Sequence, residues 1–301
     1  MFQIIRHDTN YPFTRLMKPA LILSAVLILL SIGTVVMRGG LNYGIDFVGG
    51  TIVEIKFQAP VDIAGVRAAL GPAGFGGAEI KHFGSPSEVL ISTEQSSTSV
   101  EGVEKAIRGG LDTRWSGQYD VQRLEMVGPK VGADLRSKAL WSLIASWALM
   151  LAYVTWRFEF KFAVGGILAL VHDVIISVGI FTLLGRTFSL TVLAAVLTIV
   201  GYSINDTIVI YDRIRELLKK EGKRPFREII DLAVNQTLSR SILTSLTVFF
   251  VLLVLFLFGG AIISDFSLIL LIGVVIGSYS TIFIAAPIIL VWEGKGIRLR
   301  K

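Results

Sequence analysis

The sequence predicts an α-helical membrane protein of six spans, with one α+β domain held outside the bilayer between the first span and the second. Three observations lead there. The 301 residues are 53% hydrophobic and 17% charged, with a mean hydropathy of +0.69, which is too apolar for a soluble domain of that size. Six runs stay apolar for about 18 to 27 residues, enough to cross a ~30 Å hydrocarbon core at ~1.5 Å per residue. Between the first two runs, residues 38–138 change to mixed charge and short periodic elements.

The predicted spans are 19–37, 139–156, 162–184, 188–211, 241–258 and 266–292. The first is read as a membrane helix and not as a cleaved leader, because its apolar stretch outruns an h-region and VVMRGG offers no A-x-A site. The spans leave a segment 1–18, the domain 38–138, a loop 212–240 inside the bundle region 139–292, and a basic tail 293–301. Without cysteine, there is neither a disulfide framework nor a thiolate site.

The net charge of +6 is explained by membrane flanks and requires no nucleic acid. Arg6, Arg15 and Lys18 precede the first span, and Arg157 and Lys161 lie between the second and third. Arg213, Arg215, Lys219, Lys220, Lys223, Arg224, Arg227 and Arg240 lie between the fourth and fifth, and Lys295, Arg298, Arg300 and Lys301 follow the last. On the opposite side the short loops carry only Arg186. The positive-inside rule then predicts both termini and loop 212–240 in the cytoplasm and domain 38–138 on the far side.

In the outer domain, TIVEIKF (51–57) alternates as a half-buried strand, and VDIAGVRAAL (61–70) reads as a helix begun by Asp62. AEIKHFG (78–84) and EVLIST (88–93) read as strands around a turn signal, SPS. Thr98 and Glu101 have capping-box spacing before VEKAIRGGL, and YDVQRLEMVG (119–128) supplies a last strand. The order βαββαβ predicts a ferredoxin-like arrangement. Before it, Gly44, Asp46, Gly49 and Gly50 fall in GIDFVGGT, which runs between extended stretches with neither a lysine nor GxGxxG spacing. That pattern argues for a structural junction and against a phosphate cradle.

Ionisable groups inside the apolar runs are the candidate functional residues, since a charge at the bilayer centre costs roughly 2.5 to 3.5 kcal/mol or more and is kept facing protein or water. Asp206 closes the fourth span, with Thr198, Tyr202 and Asn205 recurring beside it at helical spacing. The alternative is a helix-end carboxylate that has reached the headgroups. His172 and Asp173 lie about 16 Å into the third span, where Gly166, Ala169, Asp173 and Ser177 form a small and polar stripe. Two such groups are too few for a metal, and hydrogen-bonding glue between helices is the competing reading. Arg240 opens the fifth span at the depth expected for Asp206, which allows a pair; snorkelling to the interface is the alternative. Gly273, Gly277, Thr281 and Ala285 give the sixth span a small face for close packing.

These residues carry a resemblance. GIDFVGGT after the first span, VGPKVGADL before the second, LALVHDV in the third, GYSINDTIVIYDRIRE in the fourth and LFGG after the fifth resemble the SecF family, in SecF order and over nearly the whole chain. The resemblance implies an RND-type six-helix bundle paired with the homologous bundle of SecD, a transport subunit and not an enzyme. It implies the SecYEG channel, YajC and YidC as further partners, unfolded preprotein as substrate, and the bacterial inner membrane as location. It implies no cofactor beyond coupling protons, and it assigns the relay to Asp206 and Arg240, with Asp173 as a weaker candidate. Two other readings stay open: a proton-coupled exporter of small molecules, which would be expected to carry much larger outer domains, and a scaffold whose polar membrane residues only join helices.

Overall fold

The computed structural model describes residues 9–93, 100–221 and 223–294, apart from the side chains of 261, 262, 293 and 294. The predicted capping box at Thr98, residue Gly222 and the tail from Lys295 lie outside the described residues, as does Arg6.

Six helices are long and apolar enough to cross a membrane. They are α1 (Phe13–Met37), α5 (Pro129–Arg157), α6 (Phe160–Leu183), α7 (Leu190–Lys220), α8 (Phe226–Phe258) and the last, built from α9 (Gly260–Ser280) and α10 (Ala286–Gly294). Most run past their apolar stretches. Helix α5 starts ten residues before 139, with Pro129 in the first turn, where its missing N–H costs nothing. Loop 212–240 is mostly helix, because α7 continues to Lys220 and α8 begins at Phe226. The sixth span is not one regular helix: a widened π-type turn, Thr281–Ala285, joins α9 to α10.

Helices α6, α7 and α9 form the inside of the bundle, while α1, α5 and α8 lie around it. Small residues make this close packing possible. A Cβ on Gly273 would stand 2.4 Å from Ile199, and one on Gly179 would stand 2.1 Å from Ser31. Gly277 packs against Ser203, Thr281 bonds Thr207 over 3.1 Å, and the Ala285 carbonyl accepts from Tyr211 over 3.4 Å. The small face expected on the sixth span therefore rests along α7.

The outer domain is β1 (Gly50–Phe57), α3 (Ile63–Leu70), β2 (Glu79–Phe83), β3 (Ser85–Thr93), α4 (Val100–Trp115) and β4 (Tyr119–Val127). Its sheet order β2-β3-β1-β4, antiparallel throughout, is that of a ferredoxin-like βαββαβ fold. Asp62 caps α3 by accepting from the Gly65 N–H at 3.2 Å. Val53, Ile55, Val89 and Ile91 face α3 and α4 in a separate core, so the alternate residues of the strands point to the other side of the sheet.

One local reading is corrected and one short element is added. The β2–β3 turn is at Gly84, whose φ of +78° suits glycine, and SPS lies within β3, where the register shifts beside Phe83. Within GIDFVGGT, Ile45–Val48 forms a single helical turn, α2, starting after Gly44 and ended by Gly49 at φ +82°, an element the sequence pattern does not place. Alternation of apolar residues is a poor guide to an element only four residues long.

Candidate functional site

The intramembrane polar residues fall into two groups, one enclosed and one at an open face. In the enclosed group Asp173 is fully buried and His172 nearly so. The Asp173 carboxylate accepts from Ser203 at 2.6 Å and Ser280 at 2.8 Å through one oxygen. Its other oxygen meets His172 Nδ1 at 2.9 Å. Two hydroxyl donors from α7 and α9 and the imidazole of α6 thus converge on one carboxylate, the arrangement that lets a buried acid persist in an apolar bundle. The His172 ring stacks on Tyr279, whose hydroxyl bonds the Ala20 carbonyl and Ser24 of α1. Asp173 therefore joins three helices directly and a fourth through that stack.

Asp206 sits about a helical turn further along α7 from Ser203, half-buried, and accepts from Ser241 of α8 at 2.7 Å. Tyr202 reaches Ser245 of α8 at 3.3 Å, and Ser245 meets Ser278 of α9 at 2.8 Å. Asn205 and Thr198 remain exposed, and Thr198 bonds only the Ala194 carbonyl of its own helix. The polar stripe of α7 is thus divided: one edge is covered by α8, and the other, with Gly201, is open.

Arg240 and Asp206 do not form an ion pair. Arg240 is exposed, one residue before Ser241, and near enough for its charge to act on the carboxylate through space. Helix depth places the two residues at one level; the direct contact belongs to Ser241. Ser203, Ser241, Ser245 and Ser280 were not singled out in the sequence, because hydroxyls are frequent on these helices and helical spacing alone does not say which of them meets a carboxylate. Among the described residues, no group of three or more His, Cys, Asp and Glu is placed to hold a metal.

The glycine-rich residues meet at the outer end of the bundle. Asp46 Oδ2 accepts from the Leu190 N–H at 2.9 Å, satisfying a free donor in the first turn of α7. Gly44 N–H donates to the Phe188 carbonyl at 2.9 Å, and Phe188 N–H to Asn42 at 2.7 Å. Tyr43, Phe47 and Phe188 pack ring to ring. A Cβ on Gly49 would stand 2.8 Å from Pro129, one on Gly50 2.3 Å from the Thr93 carbonyl, and one on Gly132 2.9 Å from the Phe47 backbone. The segment ties β1 to the outer ends of α5 and α7, which is more than a link from α1.

Six membrane helices around one buried, hydroxyl-bonded carboxylate, with a ferredoxin-like domain tied to one end of the bundle, define a multi-pass membrane protein with an appended α+β domain. Residues 111–295 match the family described as protein export membrane protein SecD/SecF, C-terminal, and residues 39–61 match the SecD/SecF GG motif. The protein translocase subunit SecF of Desulfurispirillum indicum is 44% identical, covering 95% of this chain and 93% of that one. That of Magnetococcus marinus is also 44% identical, covering 97% and 94%. The crystal structure of SecDF from Thermus thermophilus, described as a translocon-associated membrane protein, superposes with a TM-score of 0.85 at 36% identity. It covers 96% of this chain, which spans 39% of the SecDF chain. The chain belongs to the SecF family of protein-export membrane proteins.

Proposed function

We propose that this chain is the SecF half of a two-subunit, proton-driven export motor in the bacterial inner membrane. Its termini and the 212–240 segment lie in the cytoplasm and its α+β domain on the far side, as the charge distribution supports. The observation that carries the reading is Asp206: a half-buried carboxylate held by one hydroxyl, beside an exposed arginine, on a face of α7 and α8 that the described residues leave uncovered. An acid in that position asks for a second protein surface. A SecD-type bundle meets that need, and the SecDF chain, in which this fold occupies 39% of the length, supports it. SecYEG, YajC and YidC complete the assembly, and unfolded preprotein is the substrate.

In this reading Asp206 takes and releases the coupling proton. Burial and a neighbouring guanidinium act oppositely on a carboxylate's proton affinity, so the position of Arg240 and the closure of the partner face set whether the proton is held. The drive is sufficient. About two charges crossing ~120 mV supply ~5.5 kcal/mol, which takes a two-state equilibrium from about 1:99 to about 99:1. The change reaches the outer domain through the Asp46 contact with α7. Proton flux into liposomes holding this chain and a SecD-type partner tests the reading: flux with both and none with either alone is expected, and no flux with both contradicts it.

A further inference from the structure

Between the outer domain and the outer end of the bundle lies a cleft of about 700 Å³. Its roof is the face of the sheet that α3 and α4 leave bare. Ile52 and Glu54 of β1, Leu90 and Ser92 of β3, and Arg123 and Glu125 of β4 stand on it in alternation with the core residues. Its floor is α2, the α6–α7 loop and Asp265 at the start of α9.

Charge distinguishes this cleft from an ordinary gap between domains. Five carboxylates line it, Asp46, Glu54, Glu79, Glu125 and Asp265, against two cations, Lys81 and Arg123. Both cations are already engaged on the sheet, Lys81 with Glu79 at 3.4 Å and Arg123 with Glu125 at 2.6 Å; Asp265 is paired with Arg186 from the α6–α7 loop at 3.0 Å and Asp46 accepts from the Leu190 N–H, which leaves Glu54. Arg123 is the direct cross-strand neighbour of Glu54, yet its bond goes to Glu125. Glu54 stands half-buried on the central strand, and among the described residues its carboxylate has no hydrogen-bond or ion-pair partner. A partly desolvated, unpaired acid at the middle of an acid-rich cleft is complementary to a cation that enters from outside.

We propose that the cleft binds an extended polypeptide segment carrying lysine or arginine, with Glu54 as its central anchor. An extended chain presents side chains alternately to opposite sides. It can therefore set a basic group against Glu54 and its intervening residues against Ile52, Leu90 and Val48, while Asp265 is already held by Arg186 at 3.0 Å. The floor offers Asn42, Thr187 and Thr191 for its backbone groups. The inference rests on the export reading above and names the contact that the outer domain makes with the exported chain.

The test uses the full chain with its SecD-type partner in nanodiscs of zwitterionic lipid, and two short labelled peptides, one alternating serine with arginine and one alternating serine with glutamate. The basic peptide should bind about tenfold more tightly, less so at high salt. Glu54→Gln should weaken it about fivefold, and a photo-crosslinking residue at Ser92 should capture it. Equal binding of the two peptides, an unchanged affinity in Glu54→Gln, or capture of the partner subunit alone at Ser92 would each overturn the assignment. Proton flux measured on the same complex separates the two readings. Flux without peptide selectivity removes the cleft site and leaves the motor, while peptide selectivity without flux removes the motor and supports the site.

Discussion

Ser241 of α8 donates its hydroxyl to the Asp206 carboxylate of α7 across 2.7 Å, and the arginine one residue earlier makes no ion pair with that acid. The bond lies at the edge of a helix face that the described residues leave uncovered, so it holds the carboxylate in place without enclosing it. Ser241→Ala should therefore leave the bundle folded and slow proton-dependent export roughly tenfold, the effect of losing one hydrogen bond. Export into inverted vesicles with and without a proton gradient reads this directly. Arg240→Met should lose the stimulation. Because no two-pronged pair is formed with Asp206, Arg240→Lys should keep most of it; complete loss in the lysine variant would show that the guanidinium fork is required.

Asp173 carries a different expectation, since it is enclosed by polar groups from three helices. Asp173→Ala removes the partner of Ser203 and of His172 Nδ1 inside the bundle, at about 1–3 kcal/mol for each buried group left unpaired, while Ser280 keeps only the Gly277 carbonyl at 3.2 Å. The variant should unfold at a clearly lower temperature in detergent. Asp173→Asn keeps an acceptor oxygen and should fall between it and the parent. Equal thermal stability of Asp173→Ala and the parent would remove the joining role.

The junction can be tested at two residues of unequal severity. Asp46→Ala removes a cap from the first turn of α7, worth about 1 kcal/mol, and should speed hydrogen exchange at the Leu190 amide while the Val192 amide keeps its own bond to Ser189. Gly49→Ala should be far more disruptive, because its φ is +82° and the added carbon would meet the Pro129 backbone at 2.8 Å. Similar exchange in both variants would contradict the geometry.

Topology is open to a labelling experiment that the absence of native cysteine keeps clean. Cysteines placed at Ser87 in β3 and at Lys223 between α7 and α8 should react with an impermeant maleimide from opposite sides of the membrane, Ser87 from outside. Reaction of both from one side would end the six-span arrangement.

What the sequence made legible follows from the length of the signal. Long apolar runs specify spanning helices, and small residues four apart on the sixth span announced the close contact that Gly273 and Gly277 make with α7. Period-two alternation over seven residues located β1, and Asp62 marked the start of α3. Short elements were lost: α2 is four residues long, and the SPS turn signal was outcompeted by Gly84, which alone tolerates the positive φ the hairpin needs. Depth along two helices put Asp206 and Arg240 at one level but carries no information on rotation about the helix axes. Rotation is what gave the contact to Ser241. The Asp173 cluster was half visible, because a lone acid in an apolar run is conspicuous and the serines that satisfy it are not.

The most direct test of the account is proton flux through the reconstituted two-subunit complex bearing Asp206→Asn, with assembly checked by co-purification of the partner. The amide keeps the size of the side chain and an oxygen for Ser241, but it has no proton to exchange at this site. The account predicts a complex that assembles in normal yield and conducts no coupled protons; normal assembly with undiminished flux would show that Asp206 is not the coupling residue.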